Sequence, residues 1–186
     1  MKIYIYQNNI GFSNCYLILN ENAKKVILVD PGQFTSSIIT KIESNSYSLE
    51  AVLITHSHPN HINGIKTLQK IYAPPIFAAD WDIAENDSNT IVGNGVLNIA
   101  EIETQYFHLP GHTTDSMIYK IANVLFTGDV ISAGKIGSTS SKYSDYILKR
   151  NIKEKIFSLP DETIILPGHG PLTSVGAEKK FNIDIK

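Results

Sequence analysis

The chain has 186 residues, of which 42% are hydrophobic and 18% are charged, a composition typical of a folded globular protein and not of a disordered one. Its formal net charge of −2 at pH 7 argues against a surface for nucleic acid or anionic membrane. The one cysteine, Cys15, cannot form an internal disulfide, and the N-terminal apolar run is too short for a signal peptide or a membrane span. We therefore expect a cytoplasmic protein.

The first half of the chain predicts an antiparallel start, followed by helices that alternate with strands. Three apolar runs separated by polar residues are typical of adjacent strands: KIYIY, NCYLILN and KKVILVD. The elements predicted after them are a helix over 36–44, a buried strand over 49–55, a helix over 61–72, a short strand over 74–80 and a helical turn over 81–87.

The second half is also mixed. Residues 87–104 have a weak pattern that predicts only short strands and turns. Strands are predicted over 103–110, 116–122 and 123–129, a helix over 148–159, a strand over 163–167 and a closing helix over 174–181. This order predicts an α/β fold with two sheets or one large mixed sheet.

The stretch THSHPNHING holds three of the six histidines, His56, His58 and His61. Imidazoles bind zinc, iron and similar ions through a neutral ring nitrogen, and histidines so closely spaced are uncommon without a metal. The cluster directly follows the strand predicted over 49–55. We interpret it as part of a metal site.

Other candidate ligands also follow predicted strands. The string LPGH occurs twice and ends at His112 and His169, and LFTGD ends at Asp129. Side chains at strand ends are held by the sheet and can point into a common cleft. His56, His58 and His112 could hold one ion, His61 and His169 a second, and Asp129 could bridge both. His108 has no such pattern and is interpreted as a surface or hydrogen-bonded residue.

These motifs resemble the metallo-β-lactamase superfamily, and within it single-domain glyoxalase II-like (hydroxyacylglutathione hydrolase-like) enzymes. The residues that carry the resemblance are THSHPNH (55–61), PGHT (110–113), FTGD (126–129), LPGHG (166–170) and, earlier, VILVDPG (26–32). The resemblance implies one αββα sandwich domain over residues 1–186, with two mixed sheets flanked by helices. It implies hydrolysis of a small-molecule thioester with one or two zinc ions, or iron or manganese, in the ligand sets above.

Two positions depart from the family pattern. Asn60 stands where the family has an aspartate. By their positions in the family motifs, Asn60 and Asp129 are the predicted catalytic residues. Ser138 stands where related thioesterases often carry a basic residue, and the nearby Lys135 and Lys142 could bind substrate in its place. The chain ends soon after LPGHG, without the C-terminal helical region of two-domain glyoxalase II enzymes, so we expect weak discrimination for the glutathione part.

The asparagine leads to a specific expectation. A neutral amide supplies no negative charge and cannot accept a proton at neutral pH. We predict a filled first site, a weak or empty second site and low hydrolytic activity. The alternative is that the Asn60 amide oxygen binds the metal and both sites fill.

Two other functions remain open. His56, His112 and Asp129 could form the two-histidine, one-carboxylate triad of an iron-dependent persulfide dioxygenase, a reaction known in this superfamily. The chain could also be a non-catalytic metal-binding member of the fold, which Asn60 favours. Oxygen consumption with a persulfide would separate the first alternative from hydrolysis.

Overall fold

The structure, a computed structural model, describes residues 1–86 and 88–185. Its first sheet has five strands, in the order β1-β2-β3-β4-β5. They are Lys2–Gln7, Asn14–Asn20, Lys25–Val29, Ser48–Leu53 and Ile76–Phe77. The first three strands are antiparallel, as the short polar turns predict, and β3, β4 and β5 are parallel.

The second sheet has six strands, in the order β13-β12-β9-β8-β7-β6. In chain order they are Asn94–Ile99, Ile102–His108, Met117–Ile121 and Val124–Gly128 (β6 to β9), then Ile164–Pro167 and Thr173–Ser174 (β12 and β13). The segments Ile131–Ser132 (β10) and Lys135–Ile136 (β11) form a small hairpin. β9 and β12 are parallel, whereas the other neighbours are antiparallel.

The helices lie in the connections between strands. They are Ser36–Glu43 (α1), Pro59–Ile62 (α2), Ile65–Leu68 (α3), Trp81–Ala84 (α4), Lys142–Asn151 (α5) and Val175–Phe181 (α6). A π-helical turn, Ile152–Ile156, continues α5. Serine caps begin the two last helices, since Ser141 Oγ accepts from Ser144 N and Ser174 Oγ accepts from Ala177 N.

Three apolar cores separate four layers. Ile38 and Ile42 of α1 pack on one face of the first sheet, and Leu148 of α5 packs on the outer face of the second. The middle core joins side chains of both sheets, such as Leu53 and Phe126. The alternation of inward and outward side chains along each strand gives each sheet two buried faces. The αββα sandwich expected from the sequence is therefore confirmed.

The helix predicted over 61–72 is wrong as a continuous element, because α2 and α3 are separated at Gly64. The amide of Gly64 donates to the carbonyl of Pro31, and a Cβ on Gly64 would lie 2.2 Å from that oxygen. This contact with a distant loop turns the chain at Gly64. Asp87, the last residue of the turn predicted over 81–87, and Lys186 lie outside the described residues, and the single domain over 1–186 stays a prediction.

The strand directions bring several strand ends to one edge. β7 and β9 are each antiparallel to β8, and β12 is parallel to β9, so these three strands end at the same edge of the second sheet. The end of β4 lies at the same edge. Thr55 follows β4, and its carbonyl accepts a hydrogen bond of 2.7 Å from the amide of Met117, the first residue of β8. Within the described part of the chain, no helix combines the length and the apolar character that a membrane crossing requires.

Candidate metal centre

The first cluster at this edge holds His56, His58, His112 and Asp129, with potential ligand atoms all within 4.8 Å of one another. His58 Nδ1 lies 2.9 Å from His56 Nε2 and 3.1 Å from His112 Nε2. Asp129 Oδ2 lies 3.8 Å from His56 Nε2 and 3.7 Å from His112 Nε2. Three segments, after β4, β7 and β9, thus bring three ring nitrogens and a carboxylate oxygen together.

The second cluster holds His61, His169 and the same Asp129. His61 Nε2 lies 3.6 Å from Asp129 Oδ2, and His169 Nδ1 lies 2.7 Å from Asp129 Oδ1. His61 comes from α2 and His169 from the turn after β12. Asp129 therefore belongs to both clusters. Its Oδ2 faces the first cluster and also lies near His61 of the second, and its Oδ1 lies near His169 of the second.

Hydrogen bonds on the outer sides of three rings set which nitrogen faces the clusters. His56 Nδ1 lies 3.0 Å from Thr55 Oγ1, and His112 Nδ1 lies 2.7 Å from the carbonyl of Ser138. Because that carbonyl only accepts, His112 Nδ1 carries the proton and Nε2 keeps its lone pair. The same holds for His56, since the Thr55 hydroxyl donates to Asp30 Oδ2 and so accepts from the ring.

His61 is the strongest indication of a cation. Its Nδ1 lies 3.0 Å from Asp30 Oδ2 and donates to it, so Nε2 is the nitrogen that faces Asp129, at 3.6 Å. That nitrogen is buried and has no hydrogen-bond partner among the described residues. A buried polar atom without a partner is rare in proteins and requires an explanation. A metal ion between His61 and Asp129 fits this nitrogen, so the residues present are suited to the group.

The charges of the clusters also suit a cation. Burial and the neighbouring His61 lower the pKa of His56 to about 3, so its ring is neutral. Burial alone would raise the pKa of Asp129, but the hydrogen bond from His169 and the charge of the nearby His61 hold it well below its usual range. Burial opposes protonation of His61, yet Asp30 and Asp129 raise its pKa to about 9, so without a cation the ring carries a second proton on Nε2, and a bound divalent ion would replace that proton. A buried carboxylate among imidazoles is an arrangement that a divalent ion stabilises.

Asp30 is a functional candidate that the motif search did not select. It is buried, and its carboxylate accepts from Thr55 N at 2.8 Å and from Thr55 Oγ1 at 2.6 Å, in addition to its contact with His61. Carboxylates behind ligand histidines commonly fix ring orientation and tautomer in metal sites. The available signal was an aspartate directly after a buried strand, in VDPG.

Asn60 lies beside the second cluster. Its Nδ2 lies 2.8 Å from His169 Nε2, and the Gly11 carbonyl lies 3.0 Å from the same nitrogen. The opposite nitrogen of His169, Nδ1, faces Asp129. The amide therefore contacts a histidine of the cluster, and the role of Asn60 stays a prediction.

The predicted substrate-binding residues lie in different surroundings. Ser138 contributes its carbonyl to His112, whereas Lys135 and Lys142 are exposed. An open cavity of about 600 Å³ adjoins His112, and none of these three residues lines it. Their part in substrate binding stays a prediction. His108 lies outside both clusters, and its Nε2 lies 2.7 Å from the carbonyl of Thr114.

Comparison with known proteins supports a family assignment. The metallo-beta-lactamase superfamily model matches residues 8–83 and 93–169. A probable metallo-hydrolase of Streptococcus pyogenes is 31% identical, over 98% of this chain and 89% of that protein. The hydroxyacylglutathione hydrolase GloC of Haemophilus influenzae is also 31% identical, over 98% of this chain and 97% of that protein. The crystal structure of BLEG-1 B3 metallo-beta-lactamase superposes with a TM-score of 0.87 at 25% identity, covering 99% of each chain.

Proposed function

Since the chain belongs to the metallo-beta-lactamase superfamily, we propose that it is a metal-dependent hydrolase of a small thioester or related ester. The observation that carries this proposal is the pair of clusters that share Asp129. In the first cluster the lone pairs of His56 and His112 face that carboxylate. The similarity to a protein named hydroxyacylglutathione hydrolase supports thioesters as the substrate class.

The residues have separate parts in holding the metal. His56, His58 and His112 would hold the first ion, His61 and His169 would hold a second, and Asp129 belongs to both ligand sets. Zinc fits this set of nitrogen and oxygen ligands, and iron or manganese can replace it. When bound at such a site, a divalent ion polarises a carbonyl group and activates water for attack.

The protein's own side chains orient the histidines that would bind the metal. Asp30 and Thr55 keep the Nδ1 protons of His61 and His56 on the outer sides of the rings. The low pKa of Asp129 makes its carboxylate a poor proton acceptor at neutral pH, so Asp129 acts as a ligand and not as a general base. Asn60 cannot take a proton either, because its amide is neutral.

Asn60 weakens the second site in this proposal. Its amide contacts His169 but adds no charge to a cluster whose one carboxylate is shared with the first ion. The first ion therefore binds more tightly than the second. If the amide oxygen turns toward the cluster, a second ion is still held, by a neutral ligand and with lower affinity than an aspartate gives.

A second candidate rests on the composition of the first cluster. His56, His112 and Asp129 together form the ligand set of non-haem iron oxygenases, which corresponds to the persulfide dioxygenase alternative. A third candidate is metal binding without catalysis. Oxygen consumption with glutathione persulfide supports the second, and metal binding without turnover of any substrate supports the third.

Metal content and hydrolysis test the proposal together. The metals of the purified protein are measured by mass spectrometry, and hydrolysis is then followed with lactoylglutathione and with simpler thioesters, esters and lactones. We expect bound zinc, iron or manganese, and hydrolysis that a chelator abolishes. His112→Ala should lose metal, whereas His108→Ala, outside both clusters, should retain it. Equal metal content in the two variants contradicts the proposed ligands.

A further inference from the structure

The cavity beside the first cluster joins the candidate metal centre to helix α5. His112 lines it on one side, and Tyr143, Ile147 and Arg150 line it on the other. The spacing of these three α5 residues, by four and then three positions, places them on one face of the helix. Its volume of about 600 Å³ lies in the usual range of small-molecule sites, which is roughly 300–1,000 Å³.

The charged groups of this cavity are cationic. Arg150 and Lys155 both line it, and among residues 1–86 and 88–185 no aspartate or glutamate does. Asp80 and Asp115 line a smaller neighbouring cavity instead. Among the lining residues an anion therefore meets two cationic side chains and no carboxylate. The carboxylates close to this lining are Asp129, 3.7 Å from His112 Nε2, and Glu154, 3.9 Å from Arg150 Nε.

Lys155 is held in place but has no anionic partner. It lies in the π-helical turn after α5 and is partly buried, and its Nζ donates to the carbonyl of His108 at 2.7 Å. No salt bridge among the described residues includes it. Burial lowers the pKa of its ammonium group, and the charge of Glu154 offsets this only in part. Two of its three N–H donors remain for a ligand.

The guanidinium group of Arg150 can also contact an anionic ligand. Within the described part of the chain, its ion pair is with Glu154, through Nε at 3.9 Å, and both side chains are about half exposed. Such exposed pairs contribute little and break easily. The two terminal nitrogens of the guanidinium group match the geometry of a carboxylate. Tyr143, which is 73% exposed, and Ile147 give the same wall an apolar part.

We propose that this cavity is the substrate site and that Arg150 and Lys155 select small thioesters or esters that carry a carboxylate. This inference rests on the proposed function. The carbonyl to be hydrolysed lies at the His112 end, the connecting chain contacts Tyr143 and Ile147, and the carboxylate lies between Arg150 and Lys155. A neutral substrate of the same size leaves Lys155 without an anionic partner.

Hydrolysis of matched substrates tests the selection. In each thioester pair a neutral amide replaces the carboxylate: glutaryl against glutaramoyl on the acyl side, and mercaptopropionate against mercaptopropionamide on the thiol side. We expect kcat/KM to favour the anionic member of one pair by about tenfold or more, as expected for a charge-assisted hydrogen bond. The pair that shows the preference tells which part of the substrate carries the carboxylate.

Variants that each remove one positive charge show which side chains produce the preference for an anionic substrate. Arg150→Gln and Lys155→Gln should each reduce kcat/KM for the preferred anionic substrate by about tenfold and leave the neutral substrate within about twofold. Lys149→Gln is the matched control, because this cation lies on α5, pairs with Asp145 at 2.9 Å and does not line the cavity. Arg150 is more exposed than Lys155, so Arg150→Gln keeps the comparison decisive even if Lys155→Gln fails to fold.

A binding measurement separates this inference from the proposed function. Calorimetry compares glutarate with pentanamide on the purified protein, and we expect only glutarate to bind, in a manner lost in Arg150→Gln and kept in Lys149→Gln. If no thioester or ester is hydrolysed but glutarate still binds in this way, the proposed function fails and the anion site remains. If hydrolysis is efficient and neither variant changes the preference for charge, the inference about Arg150 and Lys155 is overturned.

Discussion

Asp30 Oδ2 lies 3.0 Å from Nδ1 of His61, in a fully buried contact between side chains 31 positions apart. The same oxygen accepts the hydroxyl proton of Thr55, which contacts His56. One carboxylate therefore orients a histidine of each cluster. The loss of such a carboxylate usually weakens metal binding by roughly 10–100-fold.

Asp30→Asn is expected to weaken metal binding by roughly that factor of 10–100. Asparagine keeps the shape and tolerates the positive φ of this position, but it removes the charge that holds the His61 proton on Nδ1. Competition with a coloured chelator measures the affinity. Asp161→Asn, which removes an exposed carboxylate paired with Lys179, is the control, and equal affinities of the two variants would contradict the role given to Asp30.

Asn60→Asp is expected to increase the metal content and the rate of thioester hydrolysis. The new carboxylate would lie beside His169 and add the negative charge that the second cluster lacks. Metal stoichiometry and kcat are measured on protein purified with excess zinc. Asn63→Asp adds the same charge to an exposed position just after α2 and should change neither quantity. If Asn60→Asp also leaves both unchanged, Asn60 does not limit the second site.

Gly168→Ala should disturb the second cluster more than the first. A Cβ at this position would lie 2.4 Å from Asp129 Oδ1 and 2.7 Å from His61 Cε1, so both side chains must move. With excess zinc present to fill the weaker site, we expect the variant to bind less zinc and to have a lower melting temperature than the unchanged protein. Retention of the full metal content would show that the turn after β12 adjusts without displacing these ligands.

Stability at alkaline pH should depend on Cys15. Burial raises the pKa of this thiol well above its ordinary value of 9.0, so it keeps its proton in the folded protein and loses it in the unfolded chain. Above pH 9.0, the ordinary pKa of the thiol, the folded state therefore binds more protons than the unfolded chain. The free energy of unfolding then falls as pH rises, by up to about 1.4 kcal/mol per pH unit for this group.

Cys15→Ala removes that contribution. Urea unfolding near pH 8 and near pH 10 should show a shallower decrease for the variant than for the unchanged protein. Tyr119, whose pKa burial also raises, contributes equally in both proteins. The same slope in both proteins would mean that the Cys15 thiol ionises in the folded state.

The long strands could be predicted because their side chains are buried without interruption. The runs Cys15–Leu19 and Val26–Val29 are almost completely inaccessible, which requires the continuous apolar patterns visible in the sequence. The meeting of His56, His112 and Asp129 could also be predicted, because each follows a strand and strands of one direction end at one edge.

Other features depend on contacts between distant parts of the chain. The break at Gly64 arises from the carbonyl of Pro31, and the position of Asp30 behind His61 requires β3 and β4 to pair in parallel. No local pattern records either contact. Arg150 and Lys155 look like ordinary solvated charges in the sequence, because only the packing of α5 beside His112 places them around one cavity.

The sharing of Asp129 has a thermodynamic consequence. Two divalent ions held with a single carboxylate between them leave a surplus of positive charge that the imidazoles cannot neutralise, since they are neutral ligands. A bound anion reduces this surplus and therefore favours the second ion. By reciprocity, the second ion favours the anion to the same degree. Occupancy of the weaker site should thus rise with the concentration of an anionic substrate or product, which links metal loading to the supply of substrate.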